Sequence, residues 1–64
     1  MFCFITMHLE RIEFSVFDDD SKQTVARGSN PLTMTNGCYD SLLSNTINEI
    51  QELHGLCVFQ FRKA

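Results

Sequence analysis

Asn36–Leu53, NGCYDSLLSNTINEIQEL, is the stretch that decides the fold. Tyr39, Leu43, Thr46, Ile50 and Leu53 follow one another at spacings of four, three, four and three, with Leu42 and Ile47 beside them. That spacing predicts one broad apolar stripe on a helix, with Asp40, Ser44, Asn48 and Glu52 on the opposite side. Thr35 or Asn36 can cap its start, and Gly37 allows the start to slip to Cys38. Gly55 sits where a left-handed C-cap belongs. Asn45, Thr46 and Asn48 are poor helix formers, so Asn45–Thr46 is the seam at which a break is expected. A lone amphipathic helix of this length is marginal in water and needs a surface to cover.

The flanking sequence supplies that surface. Arg11–Phe17 alternates with Ile12, Phe14 and Val16 on one side and reads as a strand. Phe2–Leu9 alternates in the other phase, with Cys3, Ile5, Met7 and Leu9 together. The flip near Glu10–Arg11 marks a bulge, bend or break, and Phe2–Leu9 reads as an extension of the strand or an edge arm. Asp18-Asp19-Asp20-Ser21 is turn chemistry. Lys22–Arg27 is a short second strand, which Gly28-Ser29-Asn30-Pro31 ends. Leu56–Phe61 is a third strand after the helix, expected beside the first. The expected fold is α+β: a three-stranded antiparallel sheet with one helix, in the order strand, strand, helix, strand, forming a single domain over 1–64. A 64-residue chain buries roughly 60% of its unfolded surface and usually needs a staple. The last strand is apolar on both sides, so Leu56, Val58, Phe59 and Phe61 are the expected contact for edge pairing with a second copy into a continuous sheet.

Composition narrows the function. The net charge is −3, which argues against a nucleic-acid partner, since such binding needs a basic footprint. Three Cys without a paired motif fit free thiols in a reducing compartment. Met1–Met7 lacks a basic lead and is too short to span a bilayer, so neither a signal peptide nor a membrane partner is expected. His54-x-x-Cys57 with Cys3, His8 or Cys38 lacks the paired knuckles of a zinc site, and no metal or cofactor is expected. No nucleophile–base motif, cation loop or phosphate-cradling glycine run is present, and the chain reads as a non-enzyme. What remains is a binding surface. Tyr39 and Asp40 share the first helical turn with Leu42 and Leu43 close behind. The default role of such an aromatic–acid pair is one residue in the core and one on the surface; if two helices meet across a dimer axis, these four instead line a shared apolar cleft rimmed by acids. The run Asp18, Asp19 and Asp20 could stand where phosphates lie on DNA, although solubilising the surface is the commoner role of such a run.

Asp18-Asp19-Asp20-x-Lys22-Gln23, Leu32-Thr33-Met34-Thr35, Tyr39-Asp40 and Asn45-Thr46-x-x-Glu49-Ile50 resemble, in that order, the small uracil-DNA glycosylase inhibitors encoded by tailed phages of Bacillus. The resemblance covers Arg11 to Ile50, with about three residues inserted near Asn36–Cys38. It implies a homodimeric protein inhibitor that mimics DNA in the host cytoplasm. Uracil-DNA glycosylase flips a base and pushes a leucine into the gap. The family buries that leucine in an apolar pocket at the dimer helices while acidic side chains engage phosphate-binding loops. Carried over, Tyr39 lines the pocket, Asp40 replaces a phosphate and Leu43 forms the wall. The family has Tyr where Leu43 stands, and the Phe2–Leu9 arm and the tail after Leu56 align poorly. The alternative is a non-enzymatic dimeric interaction module, antitoxin-like or an anti-restriction DNA mimic, with another target.

Overall fold

A computed structural model describes residues 1–64. The elements are β1 (Phe2–Met7), β2 (Arg11–Asp18), β3 (Gln23–Pro31), α1 (Tyr39–His54) and β4 (Val58–Lys63). The class is α+β with one helix, but the sheet has four strands in the order β3-β2-β1-β4 and is mixed, not three-stranded and antiparallel. The arm Phe2–Leu9 is the correction. It turns back at Leu9-Glu10, where His8 N donates to Arg11 O at 2.9 Å. β1 then pairs antiparallel with β2, from Phe2↔Phe17 to Met7↔Ile12. The phase flip near Glu10–Arg11 is therefore a strand reversal. The last strand lies beside β1 rather than β2, and it runs parallel, from Phe2↔Val58 to Met7↔Lys63. β3, antiparallel to β2, shares the direction of β4 from the opposite edge. Helix α1 is the crossover between them, and a parallel return needs a connection of about this length.

Alternation assigns the two sheet faces. Cys3, Ile5, Met7, Ile12, Phe14 and Val16 point toward the helix, which supplies Leu42, Thr46 and Ile50. The fully buried core is Cys3, Ile5, Ile12, Val16, Leu42 and Ile50, with Thr46 as its one polar member. The helix runs unbroken through the expected seam. Thr46 Oγ1 donates to Leu42 O at 2.8 Å and accepts from Asn30 Nδ2 at 2.9 Å, so its hydroxyl is satisfied inside the core. The stripe is centred on Leu42-Thr46-Ile50. Leu53 falls outside it and is 71% exposed.

β3 continues through Gly28 to Pro31 instead of ending at Arg27. Pro31 is tolerated because β3 is an edge strand and loses no inner ladder bond. Gly28 lies opposite Phe14, and a Cβ there would stand 2.4 Å from Phe14 Cζ. The ring fills the space a side chain would take. Asp18–Lys22 closes the β2–β3 hairpin, with Asp20 N donating to Asp18 Oδ1 at 3.0 Å and Lys22 at positive φ. The N-cap position falls at Cys38, after Gly37 at φ 73°, rather than at Thr35 or Asn36, and no side chain closes a cap hydrogen bond there. The helix ends at Gly55, whose amide donates to Gln51 O and whose φ of 75° with ψ of −143° lies outside the left-handed helical conformation expected of it. No helix is long and apolar enough to cross a membrane.

Gly28→Ala should lower unfolding stability by about 1–3 kcal/mol, because the Phe14 ring must leave its place. Urea unfolding followed by circular dichroism measures the loss, and Ser29→Ala on the open face serves as the unaffected control.

Candidate functional site

The helix start and the acidic hairpin lie at opposite ends of the sheet. Tyr39 meets the β1–β2 turn, whereas Asp18–Asp20 closes the other end of β2. Eight residues of β2 separate them, roughly 23 Å. The four side chains expected together at the helix start also divide. Leu42 is 2% exposed and belongs to the core, so no partner reaches it. Leu43 is partly buried and packs against that core. Asp40 is exposed in the first turn, where its charge also complements the helix dipole. Tyr39 alone opens onto a cleft.

That cleft has a volume of about 560 Å³ and is lined by Met7, His8, Leu9, Tyr39, Lys63 and Ala64. An apolar cavity of about 150 Å³ can hold benzene, so the space admits one inserted aliphatic or aromatic side chain. The Tyr39 hydroxyl donates to the His8 carbonyl, which satisfies the polar tip and fixes the ring as a wall. Leu9 is 89% exposed and forms the lip. The charged group here is the cation Lys63 rather than an acid. Met7, His8, Leu9 and Lys63 were not expected at the site, because Phe2–Leu9 read as an arm and Lys63 as part of the tail. The exposed apolar Leu9 at the phase flip was the available signal.

Beneath the turn, Arg11 Nη2 and Nε donate to Glu13 Oε1 at 2.5 and 3.1 Å. His8 Nε2 lies 3.2 Å from the same oxygen, in ion-pair range but without hydrogen-bond geometry. The Arg11 guanidinium, with His8 beside it, holds the Glu13 carboxyl below its usual range. At the helix start, the Ser41 and Asp40 amides face the Cys38 sulfur without closing a cap hydrogen bond, and they lower its thiol pKa. Burial, with Cys57 nearby, pushes the Cys3 thiol up to about 11. No group of three or more His, Cys, Asp or Glu side chains is placed to hold a metal ion.

The expected dimer contact is likewise dispersed. Leu56 precedes β4 and is 93% exposed, Val58 and Phe61 are about half exposed, and Phe59 packs toward the core. The outer edge of β4 is unpaired within the chain. Comparison with protein-family models, curated proteins and solved structures finds no match to this chain.

The thiols should separate by rate. Cys38 should alkylate first and reach half its maximal rate below the ordinary thiol pH, while Cys3 should react only on unfolding; peptide mapping after timed iodoacetamide treatment distinguishes them. Glu13 has a lowered pKa in the folded chain, so its contribution to stability is present above the unfolded value of 4.5 and is lost as pH falls through the folded value. Glu13→Gln should remove that part of the acid dependence, read as a flatter urea midpoint against pH.

Proposed function

We propose that this chain is a non-enzymatic protein inhibitor of uracil-DNA glycosylase, a homodimeric acidic mimic of DNA that acts in the host cytoplasm during phage infection. The observation that carries the reading is the apolar cleft walled by Tyr39, at the helix start where the resembled family receives the enzyme's intercalating leucine. An aliphatic side chain entering it would leave water and meet Met7, Leu9 and the tyrosine ring. Asp40, exposed beside the cleft, is free to accept donors that otherwise hold phosphate. Dimerisation is supported by the thinness of the monomer, in which 7 of 64 residues are buried, and by the unpaired apolar edge of β4. Edge pairing there would bury Val58 and Phe61.

The 23 Å between Asp18–Asp20 and Tyr39 favours a second reading. An enzyme contacting one helix start need not reach that hairpin of the same copy. The hairpin could instead serve a dimeric antitoxin-like or anti-restriction module aimed at another DNA-binding protein.

Stoichiometric protein should stop excision from a uracil-containing oligonucleotide; undiminished excision at micromolar excess would reject the reading. Tyr39→Ala should raise the half-inhibitory concentration about 30-fold, the weight of an aromatic hot spot of ~2 kcal/mol. Asp40→Asn should weaken inhibition without changing the fold. Val58→Lys with Phe61→Lys should shift sedimentation from dimer to monomer.

A further inference from the structure

The helix covers one face of the sheet, and the other face is open. Its side chains form cross-strand rows. Arg27, Ser15, Phe4 and Gln60 make the central row. Glu13, Thr6 and Arg62 lie in the next, toward the β1–β2 turn. Phe17 and Phe2 face each other in the row toward the acidic hairpin. A groove of about 500 Å³ runs along this face past Phe4, Thr6, Ser15, Ser29 and Arg27, and also past Glu13, whose carboxylate is held by Arg11.

The charge of −3 averages over two unlike faces. The helix carries Asp40, Glu49 and Glu52 and no Lys or Arg. The open face carries Arg11, Arg27 and Arg62 against Glu13, and Glu13 is already paired with Arg11 and His8. Arg27 and Arg62 have no carboxylate in ion-pair range. Arg62 lies over the Phe4 ring, 4.9 Å from its centroid. Phe2, Phe4 and Phe17 are half-buried, an aromatic surface where a solvated sheet face usually carries small polar residues.

We propose that this open face binds single-stranded nucleic acid, with bases stacking on Phe4 and its Arg62 guanidinium and phosphates meeting Arg27 and Arg62. A single strand offers π-faces and phosphates at close spacing, and aromatic platforms beside unpaired cations match both. Arg27 and Arg62 stand on the two edge strands, one row apart and about 16 Å from each other, so the ligand crosses the sheet strands obliquely with Phe4 between the contacts. The hydroxyls of Thr6 and Ser15 supply further donors along that path. A second copy stacked face to face would set these arginines against their own equivalents. An acidic peptide would satisfy the arginines and leave the phenylalanines unused. The site is independent of the Tyr39 cleft, which opens on the helix side.

Fluorescence anisotropy of a labelled short oligothymidylate at low salt tests this. Binding should be saturable, and log K should fall with log salt at a slope of about −1.4, the share of two phosphates on a single strand. Arg27→Ala with Arg62→Ala, both at exposed positions, should weaken binding more than tenfold and flatten the slope. Phe4→Leu should cost about fivefold or more and leave the slope unchanged. Circular dichroism checks that each variant is folded. Asp40→Asn, which tests the inhibitor reading, should leave oligonucleotide binding intact. Absence of binding at low salt, or equal binding by the double arginine variant, overturns the proposal. So does adsorption to phosphatidylserine vesicles that depends on the arginines and that the oligonucleotide does not displace.

Discussion

The parallel pairing of β4 with β1 is the constraint on which the rest of the structure depends. Antiparallel partners can be joined by a tight turn, but a parallel return requires a long crossover. Here it must travel from β3 at one edge to β4 at the other, and α1 is that crossover. Passing over β2 and β1, it places Leu42, Thr46 and Ile50 against Cys3, Ile5, Ile12 and Val16. The core is one layer thick because there is one helix to cover it. The same route brings the helix start to the β1–β2 turn, where the Tyr39 hydroxyl meets the His8 carbonyl. Fold and cleft are consequences of one connection.

The helix and the place where it ends were legible because an apolar period and a well-placed glycine are local signals, although Gly55 takes a positive φ without the left-handed helical ψ. So was the acidic hairpin, since Asp18 closes its own turn through Oδ1. The first strand was not. Leu9-Glu10 contains none of the residues that announce a reversal, and Leu9 prolongs the apolar alternation it in fact ends. With β1 read as an arm, its parallel neighbour could not be inferred, and the antiparallel three-stranded sheet followed. Gly28 and Pro31 read as breakers. Gly28 is instead a cross-strand seat for the Phe14 ring, which pattern alone does not reveal.

The candidate site was legible in its residue types and less so in its arrangement. Tyr39 does wall an apolar cleft, but the other walls come from β1, the turn and β4, distant in sequence. Leu42 shares its turn with Tyr39, yet the rotation between them carries one into the core and leaves the other at the edge. Charge is distributed in the same way, unevenly: Asp40, Glu49 and Glu52 stand on the helix and Asp18–Asp20 at the hairpin, while Arg11, Arg27 and Arg62 stand with Glu13 on the open sheet face.

The pairing of Phe2 with Val58 also sets an order of events in time. The β1–β2 and β2–β3 hairpins close short loops and can form early, whereas β4 reaches its place only after almost the whole chain has been threaded past it. Loop-closure entropy makes such a contact late in folding and early in opening. The strand that completes the sheet is therefore the one that frays first. Until β4 docks, the outer edge of β1 presents unpaired backbone groups, which is the kind of edge that proteins cover or blunt.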